Sequence, residues 1–390
     1  MWSTQFVVQE LWLRSRRCLL SALDDAGLAP GEAAFASYMR DQGALGRSVL
    51  ARLGPGLGTV EHRYLMSERM AGTANRRFAR RLPFGLAFGH ECGRYLRQVA
   101  GGAAVVPDLA ADGAALFNVA ASLFDRLTDR ASEAAAVKAL LPRDRLARLC
   151  GDRSEVEALR TELGALAASE LRVFGAVIAE LFRIAHELRA IRGDPAAWRG
   201  FVDDLLGAYD AQLATLQPDL AAPDATAISR AKSVTPFLVT AQLAALGAGT
   251  AVDPRGLAEA IGDVFWRVDD LVDLHADART GQLNSVQLRA AGRTADRAAG
   301  HAAGHAAGRA ADRAAGHAAG HAAGHAAGHA DDVRTAAVAV LRSDGVEAVA
   351  AEIVAGITAV AARLAALEAP AAARSALLAW LVMYVVDWIQ

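Results

Sequence analysis

The strongest constraint on this chain is its patterning, in which apolar residues recur at spacings of three and four through long segments rich in Ala, Leu, Glu and Arg, such as 155–190 and 346–367. That period puts the apolar side chains on one stripe of a 3.6-residue helix. No segment sustains the alternation of apolar and polar residues, with β-branched enrichment, that a half-buried strand needs. The pattern breaks where Gly and Pro gather, at 54–58, 101–107, 193–195, 217–223 and 247–254. The expectation is an all-α bundle of about ten helices with short connections.

Apolar residues make up 53% of the 390 residues and charged residues 22%, which is enough for a large core. The chain is read as one domain over 1–390 with a low-complexity insertion at 293–329. A formal net charge of −2 removes any global electrostatic case for nucleic acid. The basic run from Asn75 to Arg81 is read as a solvated helix face. Cys18, Cys92 and Cys150 are odd in number and widely spaced, which predicts reduced thiols in a cytoplasmic protein. The start of the chain lacks the pattern of a signal peptide. The terminal apolar run 376–386 is shorter than the roughly 18 to 20 residues that span a bilayer, so a buried helix and no integral membrane segment are expected.

Against this apolar background one run stands out, FWRVDDLVD at 265–273, which carries Asp269, Asp270 and Asp273. Burying an unpaired carboxylate is costly, so such groups are usually paired, protonated or metal-bound. Helical spacing lets Asp269 or Asp270 share a ligand with Asp273. Mg²⁺ suits them, because it takes oxygen donors and bridges one or two carboxylates to substrate phosphates. The competing reading is a solvated helix face. A second acidic pair, Asp125 and Asp129 in SLFDRLTDR, again follows an apolar stretch and favours the metal.

From Arg293 to His329 a four-residue unit headed by Arg or His repeats, and it holds His301, His305, His317, His321, His325 and His329. Histidines four apart on a helix can chelate a divalent ion. A period of four, however, drifts about 40° per unit around a 3.6-residue helix, so no single face is maintained. Each interior Gly also costs about 1 kcal/mol relative to Ala. The repeat is therefore read as a low-complexity insertion rather than a metal store.

Four motifs then fall in a familiar order. FWRVDDLVD preceded by Gly262 resembles the second aspartate-rich motif of the trans-isoprenyl diphosphate synthase superfamily, and the run from Ala231 with Lys232 and Ser233 resembles its Lys-Thr motif. AQLATL with Gln212 is similar to its Gln element, and SLFDRLTDR stands in the place of its first aspartate-rich motif. The resemblance implies the terpenoid synthase helical bundle around a central cavity. It further implies Mg²⁺ ions, three with substrate bound, held by Asp125, Asp129, Asp269, Asp270 and Asp273, with Lys232 contacting the diphosphate. It also suggests a homodimer. Arg130 and Arg267 join the candidate substrate contacts by their proximity to the acids.

The departures shape the functional expectation. The first motif has no adjacent aspartates, Trp266 replaces the usual Gln, Thr215 replaces an Asp, and the Gly-Lys-x-x-Arg signature is matched only poorly by Gly46, Arg47 and Arg52. These losses weaken a second-substrate site and keep the machinery for ionisation. The character is closest to a bacterial class I terpene synthase, which needs a single prenyl diphosphate. Phe265 and Trp266, one turn before the aspartates, are candidates to stabilise a carbocation through their ring faces. Ala120 and Ala121, at positions that floor the family's pocket, point to a chain of geranylgeranyl size or longer. A chain-elongating synthase using isopentenyl diphosphate is the alternative. A non-catalytic partner subunit, or a metal-binding protein using the His repeat, is the alternative of another class.

Overall fold

A computed structural model describes residues 4–58, 75–101, 109–128, 131–167, 169–216, 222–248, 253–273, 284 and 345–389. Asp129, Arg130 and the repeat at 293–329 lie outside the described residues. Among those described, the chain forms thirteen helices and no strand. In chain order they are α1 (Thr4–Asp25), α2 (Glu32–Leu57), α3 (Asn75–Val99), α4 (Leu109–Thr128), α5 (Ala131–Leu140), α6 (Arg143–Gly151), α7 (Arg153–Ala165), α8 (Glu170–Arg192), α9 (Pro195–Ala214), α10 (Ala222–Ala248), α11 (Arg255–Val272), α12 (Gly345–Ala366) and α13 (Ala371–Ile389).

The breaks have local chemical causes. At 193–195, Gly193 closes α8 in the left-handed region at φ 66°. The next residue, Asp194, accepts hydrogen bonds from the Ala196 and Ala197 amides at 2.8 and 3.2 Å, and Pro195 supplies the preset first-turn φ of α9. The periodic stretch 155–190 divides into α7 and α8, because Leu166 leaves the helix in an extended conformation and Ser169 starts a new one by accepting from the Arg172 amide at 3.3 Å. At 54–58 the helix continues through Pro55 and ends only at Gly58, whose φ is 82°.

Two apolar bodies make the core. The first gathers α2 and α4 to α9, with large buried side chains such as Phe182, Phe201, Leu123 and Leu149. The second gathers α1, α11, α12 and α13 around Ile261, Val264, Ile353, Leu377 and Trp380. Each fully buried side chain of this kind stabilises by about 1.5 to 3 kcal/mol. Helices α3 and α10 belong to both: α3 sends Leu82 and Leu86 into the first body and Phe88, Cys92 and Leu96 into the second, while α10 sends Val239 and Leu243 into the first and Val234, Phe237 and Ala241 into the second. A helix with such duties on opposite sides must be apolar nearly all round, as α10 is.

Close backbone approach fixes α11 against α10. A Cβ on Gly262 would lie 2.8 Å from the Val234 Cα, closer than real Cβ atoms come. Helices α12 and α13 are long and apolar enough, by length and composition, to cross a membrane. Within the bundle, α12 turns a stripe of Val346, Val349, Ile353, Ile357, Val360 and Leu364 into the second body. Its exposed positions are largely alanine, as at Ala351, Ala355, Ala359 and Ala362.

Gly262→Ala is expected to destabilise the fold by about 1 to 3 kcal/mol, since the extra methyl meets backbone rather than a movable side chain. Denaturant unfolding checks this. An unchanged midpoint would mean that α10 and α11 have slack at their crossing.

Candidate active site

Three helices deliver charged side chains to one end of α10. Asp125 sits in the last turn of α4, Asp269 and Asp270 in the last turn of α11, and Asp273 caps α11, its amide bonded to the Asp269 carbonyl at 2.8 Å. Lys232 comes from α10 itself and reaches the Asp125 carboxylate at 2.6 Å. Both partners keep solvent contact, with side-chain exposures of 32% and 43%, so the pair contributes at most about 1 kcal/mol. Pro236, one turn after Lys232, lacks the N–H that would close on the Lys232 carbonyl. The Thr235 hydroxyl donates to the neighbouring Ala231 carbonyl.

Gln212 of α9 is buried and bridges the same corner. Its amide donates to Asp125 Oδ1 at 2.9 Å and to Thr128 Oγ1 at 3.1 Å, while Thr128 donates back to the Phe124 carbonyl at 2.9 Å. Gln212 and Lys232 therefore converge on the same oxygen of Asp125, Oδ1, and together orient its carboxylate. Asn284 approaches the acids of α11 differently, donating to the Asp270 backbone carbonyl at 2.6 Å.

The acids repel one another. Burial pushes the Asp269 carboxyl well above the usual carboxylate range, the nearby Asp273 adds to the rise, Lys232 opposes it, and Asp125 and Asp270 raise it further. Carboxylates from α4 and α11 thus feel each other's charge across the site. Lys232 offsets part of the rise at Asp269, and a cation bound beside these carboxylates would act in the same direction. Among the described residues no three His, Cys, Asp or Glu side chains form a ready-made cage. Mg²⁺ commonly takes one or two carboxylates together with phosphate oxygens and water. On this chemistry Asp125, Asp269 and Asp273 fit as Mg²⁺ ligands.

Below the charges opens an apolar pocket of about 520 Å³, counting its open mouth. Gln212 and Lys232 stand at its polar end, and Ala120, Ala121, Phe117 and Phe124 line it from α4. Phe124 stacks nearly parallel with Tyr209 and Phe174, at centroid distances of 5.3 and 5.8 Å, and all three line the pocket.

The remaining candidates go elsewhere. Phe265 stacks on Phe237 at 5.1 Å and meets Phe88 edge-on at 5.3 Å, inside a filled aromatic cluster that also holds Trp380 and Tyr384. Trp266 is buried, donates its indole N–H to Ser229 Oγ at 3.1 Å and lies beneath the Arg267 guanidinium. Neither ring lines the apolar pocket. Arg267 bonds Glu352 of α12 at 3.0 Å and the Asp263 carbonyl at 2.8 Å, so its charge is spent away from the acids. Sequence reasoning missed Thr128, Phe124, Phe174 and Tyr209. Phe124 was signalled by its place beside Asp125, whereas Phe174 and Tyr209 arrive from distant helices with no motif around them.

A carboxyl with a raised folded-state pKa binds a proton that the unfolded chain has already lost. Stability is therefore lost as pH rises from the unfolded carboxylate range through the raised folded value. Asp269→Asn, which removes this charge, is expected to raise the melting temperature of the metal-free protein at pH 7 and to flatten its fall with pH. Melting curves with chelator check this, and a lower melting temperature in the variant would contradict it.

Comparison with protein-family models finds no match for this sequence, and comparison with curated protein sequences finds none either.

Proposed function

We propose that the chain is a class I terpene synthase that ionises an allylic prenyl diphosphate with the help of Mg²⁺. The observation that carries this reading is the meeting of Asp125, Lys232 and Asp269, from three helices, beside an apolar pocket that Lys232 helps to line. A prenyl diphosphate has the matching shape, with a multiply charged head and a hydrocarbon tail.

Mg²⁺ held by these acids would supply the positive charge that an allylic C–O bond needs on its leaving diphosphate as it breaks. Asp125, Asp269 and Asp273 hold the ions, and Gln212 keeps the Asp125 carboxylate in orientation. Lys232 moves its ammonium from Asp125 to the diphosphate oxygens, where negative charge develops. The pocket holds the tail and keeps water from the allylic cation, with Ala120 and Ala121 leaving room beside Phe117 and Phe124. Asp129, which the resemblance also names as a ligand, lies outside the described residues.

A chain-elongating synthase must hold a second, acceptor diphosphate in a basic pocket. Arg52, one of the few candidates for that role, instead forms a two-point pair with the buried Asp112 and bonds His90 at 3.3 Å. An arginine engaged in this way favours the single-substrate reaction.

Incubation with Mg²⁺ and C10 to C25 allylic diphosphates, with and without isopentenyl diphosphate, is expected to yield a hydrocarbon or alcohol that does not depend on the acceptor. Asp269→Ala and Lys232→Ala are each expected to lower kcat by about 10²- to 10³-fold, the loss typical when one charge-stabilising group is removed. Mass spectrometry of the products checks both. A longer diphosphate formed only with isopentenyl diphosphate would overturn the cyclase in favour of the elongase.

A further inference from the structure

The pocket has a fixed floor and a wall that can yield. On α4 its lining runs from the level of Asp125 down to Phe117, eight residues or about 12 Å at the helical rise. One turn below Phe117 the helices close on each other, since a Cβ on Gly113 would meet Ile184 Cγ2 at 3.2 Å and Leu243 Cδ2 at 3.6 Å. Phe182 and Phe201, both fully buried, pack in the same body. An isoprene unit adds four chain carbons, about 5 Å when extended at ordinary C–C bond lengths. Two to three units therefore reach the floor, fewer than the small Ala120 and Ala121 suggest by themselves.

A longer chain must then displace something. Moving the floor means moving fully buried side chains of α8, α9 and α10. The other lining is different, because Leu141 belongs to the connector between α5 and α6, and Leu146 to the start of α6. Both are buried on the pocket side, yet Pro142, Arg143 and Asp144 between them are exposed to solvent. Several contacts hold this strip in place, among them an exposed pair of Arg143 with Asp210 of α9 at 3.0 Å and a pair of Arg145 with Glu162 of α7 at 2.7 Å. Tyr209 donates its hydroxyl to the Leu141 carbonyl at 2.8 Å, and Arg145 donates to the Leu140 carbonyl at 3.0 Å.

We propose that the connector between α5 and α6 is the wall that limits the length of the prenyl chain accepted, with Tyr209 as the positioning residue that holds it closed. The identity of the chain rests on the terpene synthase reading; the wall itself rests on the packing. Tyr209 suits the role because its ring is fixed against Phe124 while its hydroxyl reaches the Leu141 carbonyl at the bend from inside the pocket lining.

The test compares wild type with Tyr209→Phe, which keeps the ring and loses the hydrogen bond, and with Leu146→Ala, which opens the wall directly. Two quantities are read: the ratio of kcat/KM for C20 over C15 allylic diphosphate, and the affinity for straight-chain alkyl alcohols of increasing length by calorimetry. In both variants the ratio is expected to rise about tenfold, the discrimination that a methylene or two of pocket provides, and the alcohol optimum to move to longer chains. An unchanged ratio and optimum in variants that melt as wild type does would overturn the wall. Should wild type turn over no diphosphate, the catalytic reading fails, and the alcohol profile alone decides the wall. Should Tyr209→Phe not fold, Leu146→Ala decides.

Discussion

Everything at the charged end of this bundle depends on how α10, one of two helices shared by the two cores, is held. Because α10 is packed on opposite sides by the two apolar bodies, its position relative to α4 and to α11 is set by large buried surfaces rather than by the charges it carries. The glycine contact at Gly262 then brings α11 close enough for Asp269 to feel both Lys232 and Asp125. Hydrophobic packing thus holds together carboxylates that would otherwise separate. Stored repulsion of that kind is a common property of functional sites, where structure elsewhere sustains an unfavourable arrangement.

Charge and cavity are complementary in a second respect. The acids stand over an open pocket on the side of α4 and over a filled aromatic cluster on the side of Phe265 and Phe88. Ring faces in the cluster are covered by other rings, so they have little surface to offer a cation. Phe124, Phe174 and Tyr209 instead make a stacked slab along the pocket, rigid enough to hold a contour. Contour is what a site needs if it is to fold one hydrocarbon chain in one way.

The helices were legible in the sequence because periodicity of three and four is local information, and so was the Gly-Asp-Pro stop at 193–195. The division at Ser169 was less so, since a cap one hydroxyl strong is easily lost in a long amphipathic pattern. Lys232, Asp125 and Gln212 could be named in advance from motif order, and the structure brings Lys232 and Gln212 within hydrogen-bonding range of Asp125. The fate of Phe265, Trp266 and Arg267 was not legible. Spacing along α11 tells which residues share a face, but only the packing of α12, α13 and Ser229 tells what that face meets. Phe174 and Tyr209 were invisible for the same reason.

The central claim is that the acids of α4 and α11 form a single clamp for Mg²⁺ and a diphosphate. Calorimetric titration of the protein with inorganic diphosphate, in the presence and absence of Mg²⁺, measures this without any need for turnover. The account predicts that each ligand tightens the other's binding, and that Asp125→Ala alone, on α4, removes this coupling as fully as Asp269→Ala on α11. Diphosphate binding that ignores Mg²⁺, or that survives either substitution, would contradict it.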